Sequence, residues 1–426
     1  MTDQASNQPR VSVIIPVYNT GECLGECLDS VLAQHFSDIE VLCVDDGSTD
    51  QSPEVLADYA ARDGRVRVLR NDVPSRGPGA ARNMALNAAT GQFVAFIDSD
   101  DLIRPEMLDT LYAAAVQDDA DIAMCCFEKF NHEDGVHPAS CTYDRTIPEH
   151  LDTVPFTWVD LGGRLFELRF ASCNKLYRRG FLRDRGLTYE EDAFYEDLPF
   201  TFRALLEADR LRFVRQALYL NRKQREGATT FDQGDRVFDA LAAMQHLEAF
   251  LATRDEFRCL DEAFAAFRFR NLRSYLHKND LEHIQPFYAS LQWYASDPAL
   301  DENPFLAAEE QRQREQIRQS NLFEFLVRDY WNVNTDLGRV RRRMKIERRG
   351  RKRAKAKAKR LRAENERLMA EVEQLGRELD AVRDQLAVTR SGPGRMRTAA
   401  KTVLGPRGVR ITRSVVRRGR TPGASP

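Results

Sequence analysis

Four clusters in this sequence combine residue types that can do chemistry. Phe96-Ile97-Asp98-Ser99-Asp100-Asp101 packs three carboxylates into four residues behind an apolar run. Carboxylates so crowded repel one another unless a cation or solvent compensates them, and oxygen donors at this density suit Mg²⁺ or Mn²⁺ held together with substrate phosphates. A helix N-cap would account for Asp101 before Pro105–Val116, but hardly for all three. Pro16-Val17-Tyr18-Asn19 and Asp45-Asp46-Gly47-Ser48 form the second cluster. An Asp at a strand end can accept from the imide N–H of a uracil while an aromatic such as Tyr18 stacks on the ring. Asp-Gly-Ser is also an ordinary turn. In Arg76–Asn83 (RGPGAARN), Arg82 lies one turn into a helix and can reach a phosphate. Gly77 and Gly79 would let backbone approach that phosphate closely, but no Gly-Lys-Ser/Thr follows, so this is not a P-loop. A plain Gly-rich connection fits those residues equally well. Glu196-Asp197, within Tyr195–Phe200, places two carboxylates at a helix start, where a carboxylate is a common cap.

These clusters need elements to bring them together. Val11–Val17 and Glu40–Val44 read as strands buried on both faces, with shorter strands at Val66–Leu69, Phe93–Ile97 and Asp121–Phe127. Helices are expected over Glu22–Gln34, Pro53–Arg62 and Ala80–Ala89. Strand–helix alternation of this kind predicts a doubly wound, mostly parallel α/β sheet, with ligands beyond the carboxyl ends of its strands. The polar clusters fall at those ends. From about Val237 to Trp331, apolar residues recur at spacings of three and four, which predicts a helical subdomain.

The chain has 426 residues, with 63 Lys+Arg against 65 Asp+Glu. That balance hides a division: residues 339–426 hold 28 basic and 8 acidic side chains, so an acidic body carries a strongly basic tail. Such a tail seeks polyanions. No run approaches the ~18 apolar residues of a membrane span, and the polar start from Met1 to Arg10 argues against a secretory signal. The expected location is therefore cytoplasmic. The eight cysteines fit no zinc or disulfide spacing and read as reduced thiols. The seven His are scattered, so no zinc site is expected.

Within the tail, Leu361, Leu368, Leu375 and Val382 recur every seven residues, as do Asn365, Val372, Leu379 and Leu386 in the offset register. This predicts a C-terminal coiled coil, with a homodimer through residues 358–389 favoured by Asn365 at an a position. The basic residues flanking it alternate with Val403-Leu404, Val409, Ile411 and Val415-Val416, a composition able to lie on an anionic membrane surface. That would place the protein peripherally at the inner face of the cell membrane. The tail has no aromatic residue on which bases could stack, which counts against nucleic acid as the partner.

The order VSVIIPVYN, VDDGSTD, GPGAARN, FIDSDD closely resembles the nucleotide-sugar half of the family 2 inverting glycosyltransferases of GT-A fold, over residues 10–230. With the periodicity, heptads and charge read above, the resemblance completes a domain plan: a glycosyltransferase domain at 10–230, helices at 231–337, a basic segment with coiled coil at 338–390 and a basic tail at 391–426. It also implies roles. Pro16, Tyr18 and Asp46 would border the nucleoside, and Asn71 and Arg82 would help hold the nucleotide sugar. Asp98 and Asp100 would be the family's Asp-x-Asp signature, with Ser99 between them at the substrate, Asp100 the direct ligand of Mn²⁺ or Mg²⁺, and Asp98 near ribose and metal. Asp197 would be the catalytic base. Leu218–Arg222, with Thr229-Thr230, resembles the segment that closes over the diphosphate. Asn221 there replaces the usual aromatic, and Arg222 is the phosphate-contact candidate. The acceptor would be a glycan, polyol-phosphate polymer or lipid-linked molecule of a bacterial surface polysaccharide. Two other classes compete with this reading. A nucleotidyltransferase would carry a Gly-rich loop with a basic residue after the first strand, where this chain has Pro16–Asn19. A polyanion-binding coiled-coil scaffold would owe its function to the tail alone.

Overall fold

The computed structural model of the chain describes residues 8–71, 74–131, 135–137, 146–222, 236–276 and 283–325. The coiled-coil heptads, the basic runs, Gly338 and the insert after Arg222 with Thr229-Thr230 lie outside the described residues.

Val11–Val17 (β1) is buried along its whole length. It pairs in parallel with Ile39–Asp45 (β2), which pairs in parallel with Val66–Arg70 (β3). On its other side lies Phe93–Phe96 (β4), again parallel. Gly21–Leu32 (α1), Ser52–Arg62 (α2) and Gly79–Ala88 (α3) make the crossovers. Each expected element of this half is present within one or two residues. Strand order turns back at β1, so a crevice opens where β1 and β4 end, the usual ligand position of such sheets. Pro16 is tolerated in this central strand for a local reason. The carbonyl of Ile14 faces β4, accepting from Ile97 N–H at 2.9 Å, so Pro16, two residues on, faces the same way beyond the last β1–β4 pair. Its missing N–H therefore breaks no ladder bond.

Beyond β4 the sheet changes character. Leu102–Ile103 (β5), Ile122–Asn131 (β6), Gly135–His137 (β7), Lys175–Arg178 (β8) and Leu211–Arg222 (β9) complete nine strands in the order β3-β2-β1-β4-β8-β6-β9-β5, with β7 alongside β6. β8 is antiparallel to β4 and β6, and β5 to β9. The sheet is thus mixed, which corrects the expectation of a mostly parallel one. Leu176 lies opposite Ala95 and Arg178 opposite Phe93, so the chain enters β8 from the carboxyl end of β4. That direction brings Cys173, just before the strand, beside Asp98. Ile103 pairs opposite Tyr219 and Leu102 opposite Leu220, which stitches the strand after the carboxylate cluster to the end of β9.

The remaining helices are Met107–Gln117 (α4), Trp158–Leu161 (α5), Arg179–Asp184 (α6), Asp197–Glu207 (α7), Arg236–Leu251 (α8), Asp261–Tyr275 (α9), Ile284–Ala295 (α10) and Ala308–Gln319 (α11). Helix α7 joins the helical part to the sheet: Phe200 lies edge-on to Phe96 of β4 at 5.7 Å, while Phe202 meets Phe267 of α9 at 5.2 Å. Leu241, Met244, Leu247 and Leu251 of α8 are buried as their spacing predicts. No helix among the described residues is long and apolar enough to cross a membrane. Cys23, Cys27, Cys43, Cys125 and Cys173 are buried thiols outside any disulfide, but Cys126 is disulfide-bonded, against the expectation of reduced thiols throughout.

The glycines before α3 have a different use from the one their sequence suggests. A Cβ on Gly77 would lie 2.3 Å from the carbonyl oxygen of Ala193, and one on Gly79 would lie 2.0 Å from that of Glu190. Both glycines let α3 press against the backbone leading to α7, a close approach only a residue without Cβ permits. Gly79→Ala should therefore lower stability by about 1–3 kcal/mol through overpacking against backbone, measured by denaturant unfolding. An unchanged midpoint would mean that the two segments separate at no cost.

Candidate active site

Just past the end of β1, Tyr18 is 52% exposed. Asn19 follows with φ of +51°, a conformation that Asn tolerates better than most residues. Its side-chain oxygen accepts from Thr49 N–H at 2.8 Å, and its own N–H donates to Ser48 Oγ at 3.1 Å, so the β1 and β2 ends are tied together. Asp46 is buried beside them. It accepts from Asn71 Nδ2 at 2.7 Å and from Ser75 N–H at 3.2 Å. Asp46 also donates its backbone N–H to Val17 O at 2.9 Å, so the ends of β1, β2 and β3 lie together, with Pro16 and Tyr18 on either side of Val17.

The three carboxylates after β4 are not equivalent. Asp101 is fully buried and accepts from Tyr219 Oη at 2.7 Å, Asn221 Nδ2 at 3.0 Å and Arg222 N–H at 2.7 Å. Burial, reinforced by Asp100 and Asp98, pushes its carboxyl well above the usual range. Its role is to fasten the cluster to β9, not to cap α4, whose N-cap is Glu106. Asn221, noted as an exception in the sequence, supplies one of those bonds. Ser99 is buried and accepts from Thr20 Oγ1 at 3.0 Å. Asp98 and Asp100 are half-buried. Arg222 is buried, and its guanidinium bonds the Asp100 carbonyl at 2.6 Å and Glu26 at 2.8 Å. In this arrangement it holds the carboxylate cluster in place.

A divalent cation fits some of these groups better than others. Asp98, Asp101 and Cys173 bring ligand atoms within 4.8 Å of one another. Asp101, however, has spent its oxygens on three donors, and burial holds the Cys173 thiol well above its ordinary pKa, so it is a neutral, soft group. Mg²⁺ and Mn²⁺ prefer hard oxygen donors. The half-buried pair Asp98 and Asp100 matches that chemistry.

Arg82 joins this cluster to the other candidate. Projecting from α3, it is 5% exposed; Nη2 donates to Asp98 Oδ1 at 2.8 Å and Nη1 donates to Glu196 Oε1. Its guanidinium carbon lies 5.1 Å from the Tyr189 ring centre. Burial opposes the charge, but Glu196 and then Asp98 outweigh it and hold the guanidinium well above its ordinary value. Glu196, buried, is pushed upward by desolvation despite Arg82. It makes no capping bond to α7, so the cap alternative does not describe it. Asp197 is the first residue of α7 and half-buried. Burial, then Glu196 and Asp98, raise its carboxyl to about 8 against the pull of Arg82 and Lys175. A carboxylate poised there is suited to take a proton near neutral pH. Tyr195 just before has φ of +63°, backbone strain of the kind that persists where surroundings enforce it.

Several residues of this site had no role in the sequence reading. Asn83 donates to Tyr189 O at 2.9 Å and accepts from Tyr189 N–H at 2.9 Å, locking α3 to the irregular segment before Glu196. Lys175 is fully buried, bonded to Ala171 O at 2.5 Å and Asn174 Oδ1 at 2.9 Å, and burial lowers it to about 8. Asn83 stood inside a recognised motif; nothing in local sequence marks Lys175, because its burial depends on β8 entering between β4 and β6.

Comparison with known proteins places this geometry. The model of the family described as "Glycosyl transferase family 2" matches residues 12–184. The chain is 34% identical over 231 residues to the uncharacterized glycosyltransferase EpsJ of Bacillus subtilis, covering 52% of this chain and 63% of EpsJ. It is 33% identical over 246 residues to EpsH of the same organism, covering 55% of this chain and 69% of EpsH. It is 31% identical over 223 residues to the poly(ribitol-phosphate) beta-N-acetylglucosaminyltransferase TarS of Staphylococcus aureus, covering 51% of this chain and 36% of TarS. The crystal structure of TarS 1-349 in complex with UDP-GlcNAc superposes with a TM-score of 0.57 at 24% identity, over 74% of this chain and 89% of that one, which is a likeness of fold. The first relative is thus matched over 63% of its own length.

Arg82→Met keeps length and removes charge. It should cost about 3–5 kcal/mol at pH 7, because Glu196 is left buried without its partner. Glu196 would then rise further, and a carboxyl raised in the folded state stabilises below its unfolded pKa and loses that contribution as pH rises. Part of the loss should accordingly return on acidification from pH 7 to 5, followed by chemical unfolding. A deficit independent of pH would show that Glu196 is not what Arg82 compensates.

Proposed function

The chain belongs to glycosyl transferase family 2, and from that premise we propose that it transfers a sugar from a UDP-linked nucleotide sugar to a hydroxyl of a surface polymer. The observation that carries this reading is the single guanidinium of Arg82 bonded to Asp98 on one side and to Glu196, the neighbour of Asp197, on the other. A donor carboxylate cluster and a base candidate thereby share one buried anchor. The curated relative TarS, whose name gives a poly(ribitol-phosphate) acceptor, supports a polyol-phosphate polymer as acceptor class.

In this reading Tyr18 stacks on the nucleobase while Asp46, held by Asn71 and Ser75, receives its imide N–H. Pro16 shapes the floor. Asp98 and Asp100 would hold Mn²⁺ or Mg²⁺, which supplies charge neutralisation to the departing diphosphate. Ser99 and Arg222 keep that pair in place. Asp197 accepts the proton of the acceptor hydroxyl as its oxygen bonds to the anomeric carbon and the bond to the diphosphate breaks. One displacement inverts the configuration. The four helices α8 to α11 would form the acceptor-side subdomain.

The sequence-based proposals for the tail stand beside this one: a homodimer through 358–389, with basic segments on an anionic inner leaflet near a lipid-linked acceptor. Cosedimentation with anionic vesicles should recover the full chain at low salt and lose it at high salt. Equal recovery after truncation at Gly338 would remove the tail from that role.

The function itself is tested by UDP release from a panel of UDP-sugars in the presence of a polyol-phosphate polymer, with Mn²⁺ or with chelator. No release from any donor would contradict it. Asp197→Asn should keep UDP binding and lower turnover by about 10²–10⁴-fold. Since the raised Asp197 must be ionised to act, wild-type turnover should climb with pH above the ordinary carboxylate range. That acidic limb should vanish in the Asn variant; its survival would assign the base elsewhere.

A further inference from the structure

The backbone that delivers Asp197 is held from a helix outside the sheet. Asp239, in the first turn of α8, has a side chain only 14% exposed. Its Oδ2 accepts from the backbone N–H of Phe194 at 3.3 Å, three residues before Asp197. The same oxygen pairs with Arg76 Nη2 at 3.2 Å, in the loop that leads into α3. Arg236, one turn earlier on α8, lies over the Phe194 ring at 4.2 Å. On the opposite side Gly77 leaves no room: the carbonyl of Ala193 would sit 2.3 Å from any Cβ there. The next residue, Tyr195, is in the left-handed region at φ +63° with its ring 5.1 Å from Tyr275 of α9.

We propose that Asp239 is a positioning residue for the catalytic base: one carboxylate oxygen fixes the Ala193–Tyr195 loop against the Arg76–Gly79 loop and so sets where Asp197 meets the acceptor hydroxyl. The physical case is geometric. A left-handed non-glycine residue relaxes unless its neighbours hold it. Phe194 N–H is the hydrogen-bond donor adjacent to that residue, and its acceptor comes from α8. A carboxylate here also neutralises Arg76, which the same loop would otherwise carry near Arg82. Among the described residues the bonds of Asp239 go to Phe194 and Arg76 and not to Asp46 or the Asp98–Asp101 cluster, so its loss acts first on proton removal. Displacement of a base by around an ångström costs up to about 100-fold in rate.

This proposal rests on Asp197 being the base, and its test separates the two. UDP release is followed with the UDP-sugar that turns over fastest in the panel above, and UDP affinity by calorimetry with Mn²⁺. Asp239→Ala should lower kcat by about 10- to 100-fold with donor KM and UDP affinity within about twofold of wild type. Asp239→Asn keeps an oxygen for Phe194 N–H and should recover most of kcat, the remainder reflecting the lost pairing with Arg76. In the Asp197→Asn background, Asp239→Ala should add almost nothing, since a base already removed has no position to lose. Wild-type kcat in Asp239→Ala, equal losses in kcat and UDP affinity, no recovery with Asn, or a full multiplicative loss on top of Asp197→Asn would each overturn the proposal. Wild-type turnover in Asp197→Asn alone would instead overturn the base assignment, whatever Asp239 does.

Discussion

A guanidinium buried among carboxylates is stable only while its partners stay, and that condition organises this protein. Arg82 has left water almost completely, a transfer that is costly unless Asp98 and Glu196 both reach it. Asp98 lies two residues beyond β4 and Glu196 directly precedes α7, and the Arg82–Glu196 pairing ties points 114 positions apart in sequence. Through Arg82, Asp98 and Glu196, the residue before Asp197, are held on one guanidinium. Tyr189 closes one side of the guanidinium while stacking at 3.9 Å on Phe200 of α7. The ion pairs and the aromatic core thus brace the same helix start.

The second constraint is how three carboxylates coexist in one turn. The fold solves this by treating them differently. Asp101 goes inward and is saturated by donors from β9, and the Arg222 guanidinium bonds the Asp100 carbonyl. Because β5 pairs with β9 immediately afterwards, the cluster is clamped on both sides by one strand. Asp98 and Asp100 are left half-buried beside this fixed Asp101. The support comes from β9, which runs parallel to β6 and antiparallel to β5, an arrangement that a wholly parallel sheet would not supply.

Packing between loops completes the site. Gly77 and Gly79 bring α3 into backbone contact with the 190–194 segment, Asn83 exchanges two hydrogen bonds with Tyr189, and Tyr195 takes up a strained conformation between them. Each of these contacts would be lost to a modest separation of α3 from α7. The helical part contributes through the same region, since Phe166, Phe202 and Phe267 form one aromatic cluster with centroids 5.1–5.5 Å apart.

What the sequence determined by itself is local. Continuous β-branched runs specify β1 and β2, apolar periodicity specifies α1 to α3, and polar residues directly after strands identify the crevice, because both periodicity and strand-end position are properties of neighbouring residues. Pro16, Tyr18, Asp46, Asn71, Arg82, Asp98, Ser99, Asp100, Asp197 and Arg222 could be picked out on that basis together with the family's motif order. Direction and partnership were decided by tertiary structure. The antiparallel entry of β8, the burial of Lys175, the inward turn of Asp101, and the use of Gly77 and Gly79 against protein backbone all depend on segments distant in sequence. Short strands such as β5 and β8 carry too few residues for a period to declare itself. They form because β9 and β4 offer unpaired edges, and an edge exists only once the sheet has folded.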